Sequence, residues 1–69
     1  MQNLPLQIRE ARERLTLTQH EVAKRGRVSL SIVGKLERGI ASPSTRVLAR
    51  IAEALGYELA IELRPKKAD

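Results

Sequence analysis

The sequence predicts a mainly α-helical domain of four short helices, followed by one C-terminal β-strand that pairs across a dimer. Apolar residues recur at helical spacing in four windows, each opened by a capping residue, the last three closed by Gly26, Gly39 and Gly56. After Gly56 the apolar period shortens to two. The chain has 69 residues and no cysteine, so no disulfide staples the fold. A chain this short buries only about 60% of its unfolded surface, which makes a second subunit a natural source of stability.

Asn3 caps the first helix, with Pro5 tolerated in its first turn, where a missing N–H costs nothing. Leu4, Ile8, Ala11 and Leu15 form its apolar stripe, and the helix should end near Leu15. Thr18 and Glu21 make a capping box that opens a second helix, which buries Val22 and Ala23 and stops at Gly26. Ser29 caps a third helix, with Ile32, Val33 and Leu36 inward and Gly39 past its end. Either Ser42 or Ser44 caps a fourth, whose apolar face is Val47, Leu48, Ile51, Ala52 and Leu55. Tyr57, Leu59, Ile61 and Leu63 then alternate with polar or small residues, as in a half-buried strand. A lone strand leaves its backbone groups unpaired, and the same strand of a second copy is the simplest partner. The organisation is therefore a helical body over residues 1–56, a dimerisation strand over 57–64, and a polar, disordered tail over 65–69.

Charge narrows the function. The net charge is +5, and the excess is concentrated in the middle of the chain. Lys24, Arg25, Arg27, Lys35, Arg38, Arg46 and Arg50 face one acid, Glu37, between positions 24 and 50. Such a block suits a polyanion, because each cation that neutralises a phosphate also releases counterions. Tyr57 is the sole aromatic residue, so base-stacking recognition of single strands is disfavoured. No apolar run approaches the roughly 20 residues of a membrane span, and Met1 to Glu10 lacks the pattern of a signal peptide, so a cytoplasmic protein is expected. His20 falls on the exposed side of the capping box, and the only aspartate is Asp69 in the tail. No catalytic triad, carboxylate pair or metal site can be assembled from these residues, and a non-enzymatic protein without cofactor is expected.

A two-turn helix, a tight turn and a capped third helix with basic residues is a geometry that places one helix in the major groove of duplex DNA. The residues at its landmarks are Thr18-Gln19-His20-Glu21-Val22-Ala23, Val28-Ser29, Val33, Lys35-Leu36-Glu37-Arg38-Gly39, Pro43-Ser44 and Ile51-Ala52-Glu53-Ala54-Leu55-Gly56. They closely resemble the Cro/phage-repressor (XRE) helix-turn-helix family from about Ile8 to Gly56. The resemblance implies a four-helix Cro/repressor-like domain acting as a sequence-specific, homodimeric transcriptional regulator of double-stranded DNA, expected to repress its own gene from a palindromic operator.

The same resemblance implies roles for particular residues. Base edges fall to Ser29, Leu30, Ser31, Gly34 and Lys35 on the third helix; phosphates fall to Gln19, Arg27, Arg38, Thr45 and Arg46. Arg12 and Glu37 form a structural ion pair. Three positions depart from the family pattern. Leu30 stands where Gln or Arg is frequent, and Gly34 where a polar side chain is common, so DNA shape carries part of the discrimination. The family usually has Gly directly before the Val28-type residue; here Arg27 occupies that place, and either turns left-handed at a cost of about 1 kcal/mol or the turn shifts by one residue. The Leu-Gly-aromatic turn and following strand resemble HipB-type antitoxins, which implies a toxin protein as a second partner. On the residues alone, a stand-alone regulator fits equally well. A protein-interaction module with secondary DNA binding is the other class left open.

Overall fold

A computed structural model of the chain describes residues 3–60. Four helices follow one another: α1 (Leu4–Arg14), α2 (Gln19–Gly26), α3 (Leu30–Glu37) and α4 (Thr45–Ala54). Each begins on a side-chain oxygen. Asn3, Thr18, Ser29 and Ser44 accept from the backbone N–H three residues on, at 3.0 to 3.3 Å. Ser44 rather than Ser42 is thus the cap of α4. At Thr18 the box is complete, since Glu21 accepts the Thr18 N–H at 2.8 Å.

All four helices also end alike. Leu17 N–H reaches Arg12 O, Val28 reaches Ala23, Ile40 reaches Lys35 and Tyr57 reaches Ala52, each with the shorter bond nested inside it. This paired closure requires a left-handed residue just past the helix. Gly39 (φ 75°) and Gly56 (φ 78°) supply it without a Cβ clash, whereas Thr16 (φ 58°) and Arg27 (φ 57°) adopt it despite one. Of the two alternatives at Arg27, the left-handed turn is therefore the one adopted.

α2 packs on α4 and α3, and α1 packs on α3. The core consists of Ile8, Ala11, Leu17, Val22, Ala23, Val33, Leu36, Ile51 and Leu55, flanked by half-buried Leu4, Val28, Ile32, Val47, Leu48 and Ala54. One core expectation fails. Leu15 is 47% exposed while Leu17 is 8% exposed. The helix ends before Leu15, and the left-handed Thr16 redirects the chain, so the apolar residue after the turn is the one driven inward.

After Gly56, the described residues 57–60 form no strand. A strand there would need a partner chain for its ladder. Tyr57 is half exposed, and its hydroxyl accepts from Arg14 Nη1 at 2.6 Å, tying this segment to α1. Leu59 is half-buried. Ile61, Leu63 and the expected tail at 65–69 lie outside the described residues. Among the described residues no helix is long and apolar enough to cross a membrane.

Candidate nucleic-acid interface

α3 buries Val33 and Leu36 and leaves Leu30, Ser31 and Lys35 exposed, with Arg38 exposed just beyond its end. Positions 31, 35 and 38 follow the i, i+4, i+7 spacing of one helix face, so the polar and cationic side chains share a strip pointing away from the core. Ser29 is the N-cap, its hydroxyl oxygen accepting the Ile32 N–H at 3.1 Å. That leaves the hydroxyl proton for an outside acceptor. Leu30 is 48% exposed, an apolar surface with no core to cover it.

Gly34 is placed differently from its neighbours. It is buried, and a Cβ built there would lie 3.4 Å from Gln19 Oε1 and 3.8 Å from Arg38 Nη1. The side chains of Gln19 and Arg38 thus lie over Gly34, at ordinary contact distance from the place a methyl would take.

Gln19, the first residue of α2, is held in that position by a network. Its Nε2 donates to Glu37 Oε1 at 3.2 Å. Because a carboxylate only accepts, this contact fixes which end of the amide faces Glu37; the second N–H of Nε2 remains available. Glu37 is itself gripped by Arg12, whose Nε and Nη2 donate to its two oxygens at 2.7 and 2.9 Å. Arg12 Nη1 completes its set on the Leu17 carbonyl at 2.8 Å. The Glu37 side chain is 3% exposed and that of Arg12 15%. The two-pronged contact holds the Arg12 guanidinium still more firmly protonated than usual, chiefly through its hydrogen bond to Glu37. The α1–α3 ion pair thus stands directly behind the residue that opens α2. The link from Gln19 to Glu37 has no sequence signal, since the two are 18 positions apart.

Thr45 and Arg46 are exposed at the start of α4. The side chains of Lys35, Arg38 and Arg46 form no ion pair or hydrogen bond among the described residues. Arg27 lies elsewhere, lining a separate cleft with Arg25 and Arg50 at the C-terminal ends of α2 and α4. In the sequence Arg25 and Arg50 are only part of the general basic block, because only the packing of α2 on α4 brings them beside Arg27.

The Glu21 carboxyl is held below the usual carboxylate range, first by the backbone N–H of Thr18 and then by its hydroxyl. This is a capping role, distant from any reactive chemistry. His20 is exposed, and no group of histidine and carboxylate side chains among the described residues is arranged to hold a metal ion.

Residues 8–61 match the family model described as helix-turn-helix. An uncharacterized HTH-type transcriptional regulator of Methanothermobacter thermautotrophicus is 49% identical over 51 residues, covering 74% of each chain. With the capped α2, the left-handed turn and the outward strip of α3 in place, the chain belongs to the Cro/repressor-type helix-turn-helix family.

Proposed function

We propose that this protein is a transcriptional regulator that binds duplex DNA by laying α3 in the major groove, acting as a homodimer that represses from a palindromic operator. The observation that carries the reading is the exposed face of Leu30, Ser31, Lys35 and Arg38, whose cations have no carboxylate to neutralise them among the described residues. Lys35 and Ser31 have the donors to meet base edges, and Leu30 suits a thymine methyl. Arg38, Arg46, Thr45 and the free N–H of Gln19 are proposed to hold the flanking phosphates. Two copies would present their α3 helices to successive major grooves about 34 Å apart.

Self-association is supported by a groove of about 500 Å³ between α1 and the segment after α4, with Leu4, Ile8, Ala11, Leu55 and Leu59 on its walls. A second copy carrying the same alternating sequence can cover it. The relative from Methanothermobacter, named as a transcriptional regulator, supports the regulatory role.

The test is duplex affinity at several salt concentrations for the double variant Lys35→Ala with Arg46→Ala. Affinity should fall, and the salt dependence should flatten by about one to two lost phosphate contacts. Unchanged affinity at fixed salt would overturn the assignment of α3. For the dimer, Ile61→Pro should shift sedimentation to monomer, because proline cannot donate to a ladder; an unaltered dimer would place the interface elsewhere.

A further inference from the structure

We infer that the cleft between the C-terminal ends of α2 and α4 is a second anion site, which docks an acidic protein segment while α3 holds DNA. The cleft has a volume of about 590 Å³ and is lined by Arg25, Gly26, Arg27, Arg50, Glu53 and Ala54. Its construction depends on close backbone approach. A Cβ on Gly26 would lie 3.1 Å from the Arg50 carbonyl oxygen, so the two arginines flanking Gly26 are brought beside the root of Arg50. None of the three guanidinium groups has a hydrogen bond or ion pair among the described residues. Three cations therefore line one cleft with a single lining carboxylate, Glu53, while Glu21, one turn back on α2, offsets part of the Arg25 charge from outside it.

The negative end of α2 favours a cation in its last turn, which accounts for Arg25. It does not account for Arg50 on α4, nor for Arg27, which holds φ 57° where a glycine would be unstrained. An anion is the missing partner, and guanidinium forks fit carboxylates in two-pronged fashion.

Position decides the class of partner. Gln19 and Thr45 open α2 and α4 beside the reading face, and the cleft lies at the opposite ends of both helices. At 1.5 Å per residue, the eight residues of α2 place it about 10 Å from Gln19 along the helix. With no aromatic residue in its walls, it offers no platform for unstacked bases. The cleft thus claims Arg27 for a protein contact rather than a phosphate. The inference rests on α3 being the DNA-facing helix.

The test follows backbone amide shifts of the full chain on titration with an oligoglutamate peptide, both free and saturated with a short duplex at low ionic strength. Peptide-induced shifts should gather at Gly26, Arg27 and the end of α4, and should persist in the duplex complex. Arg25→Gln with Arg50→Gln should weaken the peptide at least about tenfold, leaving duplex affinity within about twofold and lowering the melting temperature by no more than the few degrees that loss of the last-turn cation of α2 implies. Shifts on α3, or peptide binding indifferent to the double variant, would overturn the site. A loss of duplex affinity with a flatter salt dependence in that variant would assign the cleft to DNA instead. If the parent fails to bind the duplex at all, the DNA reading falls, while the free-protein titration still decides the cleft.

Discussion

Two glycine-to-alanine substitutions in helices of the same domain should act with opposite sign. Both Gly26 and Gly34 are buried and helical, so alanine gains about 0.8–1.0 kcal/mol of helix propensity in a helix interior. At Gly34 the new methyl meets Gln19 Oε1 at 3.4 Å and Arg38 Nη1 at 3.8 Å, the far ends of flexible side chains at ordinary contact distance. Most of the gain should survive, stabilising the domain by up to about 1 kcal/mol. At Gly26 the methyl meets backbone, with the Arg50 carbonyl oxygen at 3.1 Å and its carbon at 3.4 Å. Helix α4 cannot rotate away cheaply, because Ile51 and Leu55 on the same helix are core residues. Overpacking of this kind costs about 1–3 kcal/mol, and the propensity gain is smaller at the last residue of a helix, so a net loss of about 1–2 kcal/mol is expected. For a domain of this size 1 kcal/mol shifts the melting temperature by about 4–8 °C. Thermal and urea unfolding followed by circular dichroism should separate the variants clearly, with Gly34→Ala above the parent and Gly26→Ala below it. A Gly26→Ala protein that melts at or above the parent would refute the close approach of α2 to α4, and with it the construction of the arginine cleft.

Arg12→Ala should leave the Glu37 carboxylate buried with only Gln19 as donor, at a cost of about 3–5 kcal/mol. At about 0.05–0.15 kcal/mol per residue that is from roughly a third to all of the stability of a domain of this length, so the variant should melt far below the parent by circular dichroism; a melt matching the parent would remove the pair's structural role. Replacing the Thr18 cap by alanine should cost about 1 kcal/mol in urea unfolding, and a loss within error would mean that the box contributes nothing. Glu21 has a carboxyl pKa held below its unfolded value, so its stabilising contribution is fully present above the ordinary carboxylate range and disappears as pH falls through the lowered folded value. The Thr18 amide resonance should report that loss at a pH below the titration of an unperturbed glutamate, and a transition at or above the unperturbed value would contradict the cap geometry.

Much of the helical body can be read from residues three or four apart. Asn3, Thr18, Ser29 and Ser44 are capping types, and Gly39 and Gly56 are the residues best suited to a left-handed exit. The site was less legible. Gly34 looks like an outward position by spacing alone, yet it lies beneath Gln19 and Arg38, because side chains from α2 and beyond α3 converge over it. The Arg12–Glu37 pair came from family resemblance rather than from any local pattern, since 25 positions separate its members. The arginine cleft gave no signal for the same reason: Arg50 meets Arg25 and Arg27 only once α2 has packed on α4.

By itself the sequence determined where helices start and stop, because caps and left-handed exits act over three to five residues and are complete before any long-range contact forms. Tertiary structure decided which side of each turn faces inward. Leu17 rather than Leu15 fills the core because Thr16 reverses the chain. It also decided which charges become partners and which are left to others: burial commits Glu37 to Arg12 and Gln19, while the packing of α2 against α4 holds three arginines together around a single lining carboxylate, Glu53. Those outcomes depend on distances between segments far apart in the chain, which no local pattern of residues encodes.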